Sequence, residues 1–237
     1  MELNIAYMMD TFYLALTGVP TTLFITSASL ALAFPIAFYM ALAKIYRTKI
    51  VSKLVTAFVS LIRGTPMVLQ ILIVYSLMPS MLNKLSKQFT LGIDVFDINP
   101  LLYAVIVFTI SSAGALTEIF RSALQTVDCG QLEAAHSVGI STPQAYLQFI
   151  IPQALVSALP NICSLTVNVI KTTSLAFIMT VKDITAVAKV QAAYGYNYIE
   201  SYLDIFIIYI LVCSLTQLVF SFAERRLGVY RKPVHTV

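Results

Sequence analysis

The chain has 237 residues, 59% of them hydrophobic and only 11% charged, with a mean hydropathy of +0.85. Soluble domains carry roughly 25% charged residues, so a soluble enzyme or signalling domain is excluded and an integral membrane protein remains. The net charge of +4 is modest, and without a basic cluster interleaved with aromatics it gives nucleic acid no surface to bind.

The first segment, MELNIAYMMDTFYLALTGVP, has no Lys or Arg. It lacks the basic stretch of a secretory signal peptide, so no cleavage is expected. Crossing a hydrocarbon core takes about 20 apolar residues. The first such run covers about 22–43 and closes on the basic loop KIYRTKIVSK. The second, about 54–78, contains RGTP, and a polar loop, NKLSKQFTLGIDVFDIN, leads to the third at about 100–120. The fourth, about 154–181, is interrupted by Pro160, Asn161, Asn168 and Lys171. The fifth, about 202–222, ends at AERRLGVYRKP. The expected fold class is an all-α membrane protein with about five transmembrane helices, filling residues 1–237 as one domain.

Charge orients the spans. Lys44, Arg47, Lys49 and Lys53 follow the first, and Arg225, Arg226, Arg231 and Lys232 follow the last. Placing both clusters in the cytoplasm satisfies the positive-inside bias. The N-terminus then lies outside, the C-terminus inside, and the stretch between spans three and four faces the cytoplasm.

That stretch, 128–152, is polar and punctuated. Asp128 with Gln131 three places on has the form of a reciprocal helix cap, and Gly139 suits a helix stop. About ten residues lie between, or about 15 Å of helix, too short to cross a bilayer. Ser141 or Thr142 can cap a second helix with Pro143 in its first turn, and Pro152 is expected to bend or end it. Residues 128–151 hold no Lys or Arg to grip anionic lipid, which favours a protein partner over the membrane surface.

Here the residues resemble a family. Glu133-Ala134-Ala135, then Gly139, then Ile151-Pro152 resemble the EAA loop of bacterial ABC importer permeases. RGTP at 63–66, TEIFR at 117–121, GQLEAA at 130–135, PQAL at 152–155 and ERRL at 224–227 match the polar amino-acid permeases in order. The resemblance implies a type I ABC importer permease fold in the bacterial cytoplasmic membrane. It implies two ATPase subunits, a second permease subunit, an extracytoplasmic solute-binding protein and an amino-acid substrate. In that picture Glu133, Ala134, Ala135 and Gly139 couple the chain to the ATPases.

Polar residues inside the spans are candidates for the substrate path. Arg63 either marks a bend near the path or snorkels to the inner headgroups. Glu118 and Arg121 share a helical face and either line the path or pair at its cytoplasmic end. Ser111, Ser112, Ala113, Gly114 and Ala115 read as a packing surface. Lys171, Thr172, Thr173 and Ser174 are expected to break the fourth span near mid-membrane. Many members of the resembling family read Lys-Asp-Thr-Ser here, with Asp where this chain has Thr172. That change disfavours a cationic substrate and points to a neutral or zwitterionic amino acid, with cystine as the named candidate.

No Gly-Lys pair occurs, so the chain has no phosphate-binding loop. No cofactor or metal is expected on this chain; ATP and Mg are left to partner ATPases. Cys129, Cys163 and Cys213 lie far apart, and His136 and His235 form no ligand pair. A membrane-embedded enzyme lacks its constellation. An ion-gradient-driven transporter or channel is the remaining alternative.

Overall fold

A computed structural model describes residues 3–89, 97–128 and 130–227. Its elements are α1 (Ile5–Leu16), α2 (Val19–Ile45), α3 (Val51–Gly64), α4 (Met67–Gln88), α5 (Pro100–Gln125), α6 (Gly130–Ser137) and α7 (Thr142–Ala145). A π turn (Tyr146–Ile150) leads into α8 (Ile151–Thr172), which tightens into a 3-10 turn (Thr173–Met179). The remaining elements are α9 (Ile184–Gly195) and α10 (Tyr198–Leu227). Among the described residues, five stretches are long and apolar enough to cross a membrane: Ile5–Ile45, Met67–Gln88, Pro100–Leu124, Thr142–Met179 and Tyr198–Leu227.

The span count agrees with the sequence, but three local expectations need correction. The run at 54–78 is not one helix. Thr65 and Pro66 are extended (φ −108°, ψ 138° and φ −60°, ψ 138°) and separate α3 from α4. Proline pushes the residue before it out of the helical region, which hydropathy cannot register. The helix after Ser141 is not short either. It runs on through the π turn, where Ile151 N donates to Tyr146 O, and Pro152 sits in the first turn of α8. The wider turn gives the proline ring room and joins the cytoplasmic loop to the fourth span. Nor do Lys171–Ser174 break that span; the helix only tightens from Thr173 onward.

The centre of the bundle is α2 against α5. Ser29, Ala33, Ala37 and Ala41 repeat every four residues on one face of α2 and are fully buried. The three alanines pack on Ala113, Leu116 and Phe120, and Ser29 Oγ donates to Val105 O at 3.2 Å. Lipid tails are as apolar as side chains, so close approach through small residues supplies the attraction. This packing sets the rotation of α5 and therefore which of its residues face inward elsewhere.

A second cluster joins α1, α9 and α10 through Ala15, Ile184, Ala188 and Ile208. Asp183, fully buried, caps α9 by accepting from Thr185 N (3.1 Å) and Ala186 N (2.9 Å). Burial nevertheless pushes its carboxyl above the usual range, with those N–H groups pulling the other way. The folded chain thus holds this proton more tightly than the unfolded one, so stability falls as pH rises from the ordinary carboxylate range through the raised value. Asp183→Asn keeps a capping oxygen and is expected to flatten that part of the stability–pH profile in thermal scans. An unchanged slope would show that Asp183 does not set it.

Candidate functional site

Residues of α3, α4, α5, α8 and the α3–α4 gap line one cavity of about 240 Å³. Arg63 comes from the end of α3, Thr65 from the gap, Gln70 from α4, Ser111 and Ser112 from α5, and Asn168 and Thr172 from α8. Met67, Phe108 and Leu165 add an apolar flank. The volume is below the roughly 300–1,000 Å³ of drug-sized pockets, which suits one small solute.

The α3–α4 gap shapes this site. Ending α3 inside the bundle frees carbonyl groups that need donors. Gln70 Nε2 supplies them, reaching Ile62 O at 2.8 Å, Thr65 O at 3.1 Å and Thr65 Oγ1 at 3.0 Å. The gap therefore keeps its shape and Arg63 stays at its edge. Arg63 is exposed and has no acidic partner among the described residues. A Cβ added to Gly114 would lie 3.0 Å from Ile62 and 4.0 Å from the Arg63 stem, so this glycine lets α3 lie close against α5. The small-residue run of α5 thus divides its work: Ala113 packs on α2, while Ser111, Ser112 and Ala115 face the cavity.

Of the candidate path residues, the cavity gathers Arg63 and Thr172 and leaves out the others. Thr172 Oγ1 donates to Asn168 O (2.7 Å), which turns both residues toward one wall. Thr173 is buried and donates to Ile170 O (2.6 Å), Ser174 is half-buried, and Lys171 is exposed and does not line the cavity. Glu118 lies elsewhere, paired with Lys44 of α2 and with Arg121 at 2.8 Å. Arg121 Nη1 continues to Gln125 Oε1 at 2.7 Å. Glu118 therefore ties the inner ends of α2 and α5. Glu118→Gln leaves two cations facing a neutral amide, and a loss of about 2 kcal/mol is expected in detergent thermal unfolding, with the transport KM unchanged. A changed KM at unchanged stability would return Glu118 to the path.

The sequence does not mark Gln70, Ser111 and Ser112 as path residues. Their only signal is polarity inside a span, and it is no stronger than that of the structural Ser29 or Thr117.

The loop between the third and fourth spans has most of the local chemistry its sequence suggests. Gly139 takes φ +81°, Gly139 N donates to His136 O, and Ile140 N donates to Ala135 O, both at 3.0 Å. This paired C-terminal motif needs glycine at that position. Gln144 Oε1 accepts from Ser141 Oγ (2.9 Å) and Ser141 N (3.3 Å) at the next helix start. Asp128 Oδ1 accepts from Gly130 N at 2.7 Å, but Gln131 does not reciprocate. Its amide instead pairs twice with Gln153 of α8, at 2.6 and 3.1 Å. Tyr46 after α2 donates to Tyr146 in the π turn at 2.9 Å. Glu133 and Ala134 are exposed, whereas Ala135 is buried and holds α6 down.

Comparison with known proteins gives these features a setting. Residues 33–229 match the family described as binding-protein-dependent transport system inner membrane component. The L-cystine transport system permease protein TcyL of Bacillus subtilis (strain 168) is 34% identical over 218 residues, covering 92% of this chain and 89% of the relative. The histidine/lysine/arginine/ornithine transport system permease protein HisM of Escherichia coli (strain K12) is 29% identical, covering 93% and 91%. Among solved structures, an amino acid ABC transporter crystallised with histidines superposes with a TM-score of 0.78 at 27% identity, covering 95% of this chain and all of that one.

Proposed function

The chain belongs to the binding-protein-dependent transport system inner membrane component family, and from that membership we propose that it passes a zwitterionic or neutral polar amino acid, cystine first, through the Arg63 cavity. It is the permease subunit of an ABC importer for amino acids, a multi-pass protein of the bacterial inner membrane, and not itself an enzyme.

The observation that carries the substrate reading is the charge of the cavity wall. Arg63 is its one charged residue among those described, and the rest of its polar lining is hydroxyl and amide. A guanidinium offers paired donors to a carboxylate, whereas a second cation finds no carboxylate there to neutralise it. A lysine-like or arginine-like substrate is therefore disfavoured, in keeping with Thr172 in place of an acid. The relative that carries cystine in its name is the more similar of the two permeases by identity.

The energy enters at the cytoplasmic loop. Partner ATPases bind ATP with Mg²⁺ and close on α6 at Glu133, Ala134 and Gly139, with Ala135 as its buried anchor. The loop is continuous with the fourth span, since Thr142–Met179 is one helical stretch, and the Gln131–Gln153 pair braces it from the side. Movement of α6 therefore displaces α8, whose Asn168 and Thr172 form one wall of the cavity. Alternating access follows as that wall shifts against α5.

Asn161, Ser164, Asn168 and Lys171 form an exposed polar edge along α8. Polar and charged side chains are costly against lipid. This edge faces a second permease subunit across an aqueous path, into which the extracytoplasmic binding protein releases its amino acid.

The test is reconstitution with partner ATPases and a binding protein in proteoliposomes. ATP-dependent L-cystine uptake is expected, competed by neutral amino acids and not by arginine or lysine. Uptake that persists with a hydrolysis-dead ATPase and follows an ion gradient would favour the alternative transporter class.

A further inference from the structure

Among the described residues, four buried side-chain polar atoms lack a hydrogen-bond partner: Thr22 Oγ1, Gln70 Oε1, Ser112 Oγ and Asp204 Oδ2. Two of them, Gln70 Oε1 and Ser112 Oγ, belong to residues lining the same cavity as Arg63. They come from different helices and are 9% and 2% exposed as residues. An orphaned buried acceptor is a standing cost that a donor removes. The Gln70 amide is not free to turn its nitrogen that way, because Nε2 is held by Ile62 O and Thr65 O. Its oxygen is therefore the group presented, and it can only accept.

We propose that Gln70 Oε1 and Ser112 Oγ accept from the α-ammonium group of the transported amino acid while Arg63 donates to its α-carboxylate. This rests on the reading of the cavity as the amino acid's site. An ammonium group carries three donors and no acceptor, so it can satisfy both the Gln70 amide oxygen and a lone pair of the Ser112 hydroxyl, neither of which has a partner among the described residues. Neutral acceptors add no negative charge, so a second cation on the side chain finds no counter-charge in them. The arrangement reads the two ends shared by α-amino acids and leaves the variable side chain to the Met67, Phe108 and Leu165 flank. A carboxylate without an amino group still satisfies Arg63 but leaves both acceptors bare, and that difference is the source of discrimination.

The experiment compares L-cystine with 3,3′-dithiodipropionate, which is cystine without its amino groups, as transported ligand and competitor in the reconstituted complex. Ser112→Ala is the cleaner variant, because the hydroxyl has no hydrogen-bond partner among the described residues and its removal costs the fold no such bond. Gln70→Met, close in shape, is the second variant, though it also strips donors from the α3–α4 gap. The expected result is a rise of about tenfold in the KM for cystine in Ser112→Ala, with no fall in thermal midpoint. The preference for cystine over dithiodipropionate should narrow by the same factor. Because wild type and variant use the same binding protein, its own selectivity cancels. Wild-type KM and selectivity in both variants, alongside normal cystine uptake by the unmodified chain, would overturn the proposal and leave the two oxygens as water sites. A wild-type complex that takes up no amino acid from a full panel would instead overturn the substrate reading, and this proposal with it.

Discussion

Gly18→Ala is expected to destabilise the detergent-solubilised protein by about 3 kcal/mol, the upper part of the usual overpacking range. A Cβ at Gly18 would lie 2.4 Å from Ile184 N and 2.5 Å from Asp183 C. Both are backbone atoms at the start of α9, so neither can swing aside. Gly18 has an ordinary φ of −80°, so the cost comes from contact alone. Gly64→Ala is the matched control, because nothing lies within 4 Å of its added Cβ. Thermal unfolding of the two variants should separate them clearly. Equal midpoints would mean that the α1–α2 turn and α9 are not in close contact in the membrane.

Glu133→Lys is expected to cut uptake by at least about tenfold while leaving membrane insertion and folding intact. Glu133 is exposed in the first turn of α6 and pairs with no other side chain among the described residues. Its loss therefore disturbs only the helix dipole, worth about 0.3–1 kcal/mol. Reversing a charge that meets a partner costs about 2–5 kcal/mol at a desolvated contact, which is where the large effect arises. Recovery of ATPase with the tagged permease and uptake per ATP hydrolysed would be measured together. Full recovery with normal uptake would remove Glu133 from the coupling contact.

The two predictions differ in how far the sequence alone could reach them. Glu133 was legible because it sits in a loop whose caps are local. Asp128, Gly139, Ser141 and Gln144 each act within a few residues of themselves, and their geometry follows from residue type. Gly18 was not legible, because its neighbour is the start of α9, far away in the sequence between the fourth and fifth spans. Gln131 shows the boundary between the two cases. Its spacing from Asp128 suggested a local cap, yet Gln153 offered a better partner across the loop.

The sequence by itself determined the membrane class, the number of apolar spans and the breaks in the loop at 128–152. Hydropathy summed over about 20 residues, charge bias and cap chemistry are all local quantities. Only the tertiary structure decided that Arg63, Gln70, Ser112 and Thr172 share a cavity while Glu118 pairs with Lys44. Whether a polar residue in a span faces a cavity, a neighbour or lipid depends on how its helix is rotated. Here that rotation is set at a distance, by the alanine face of α2 against α5 and by the gap at Thr65–Pro66.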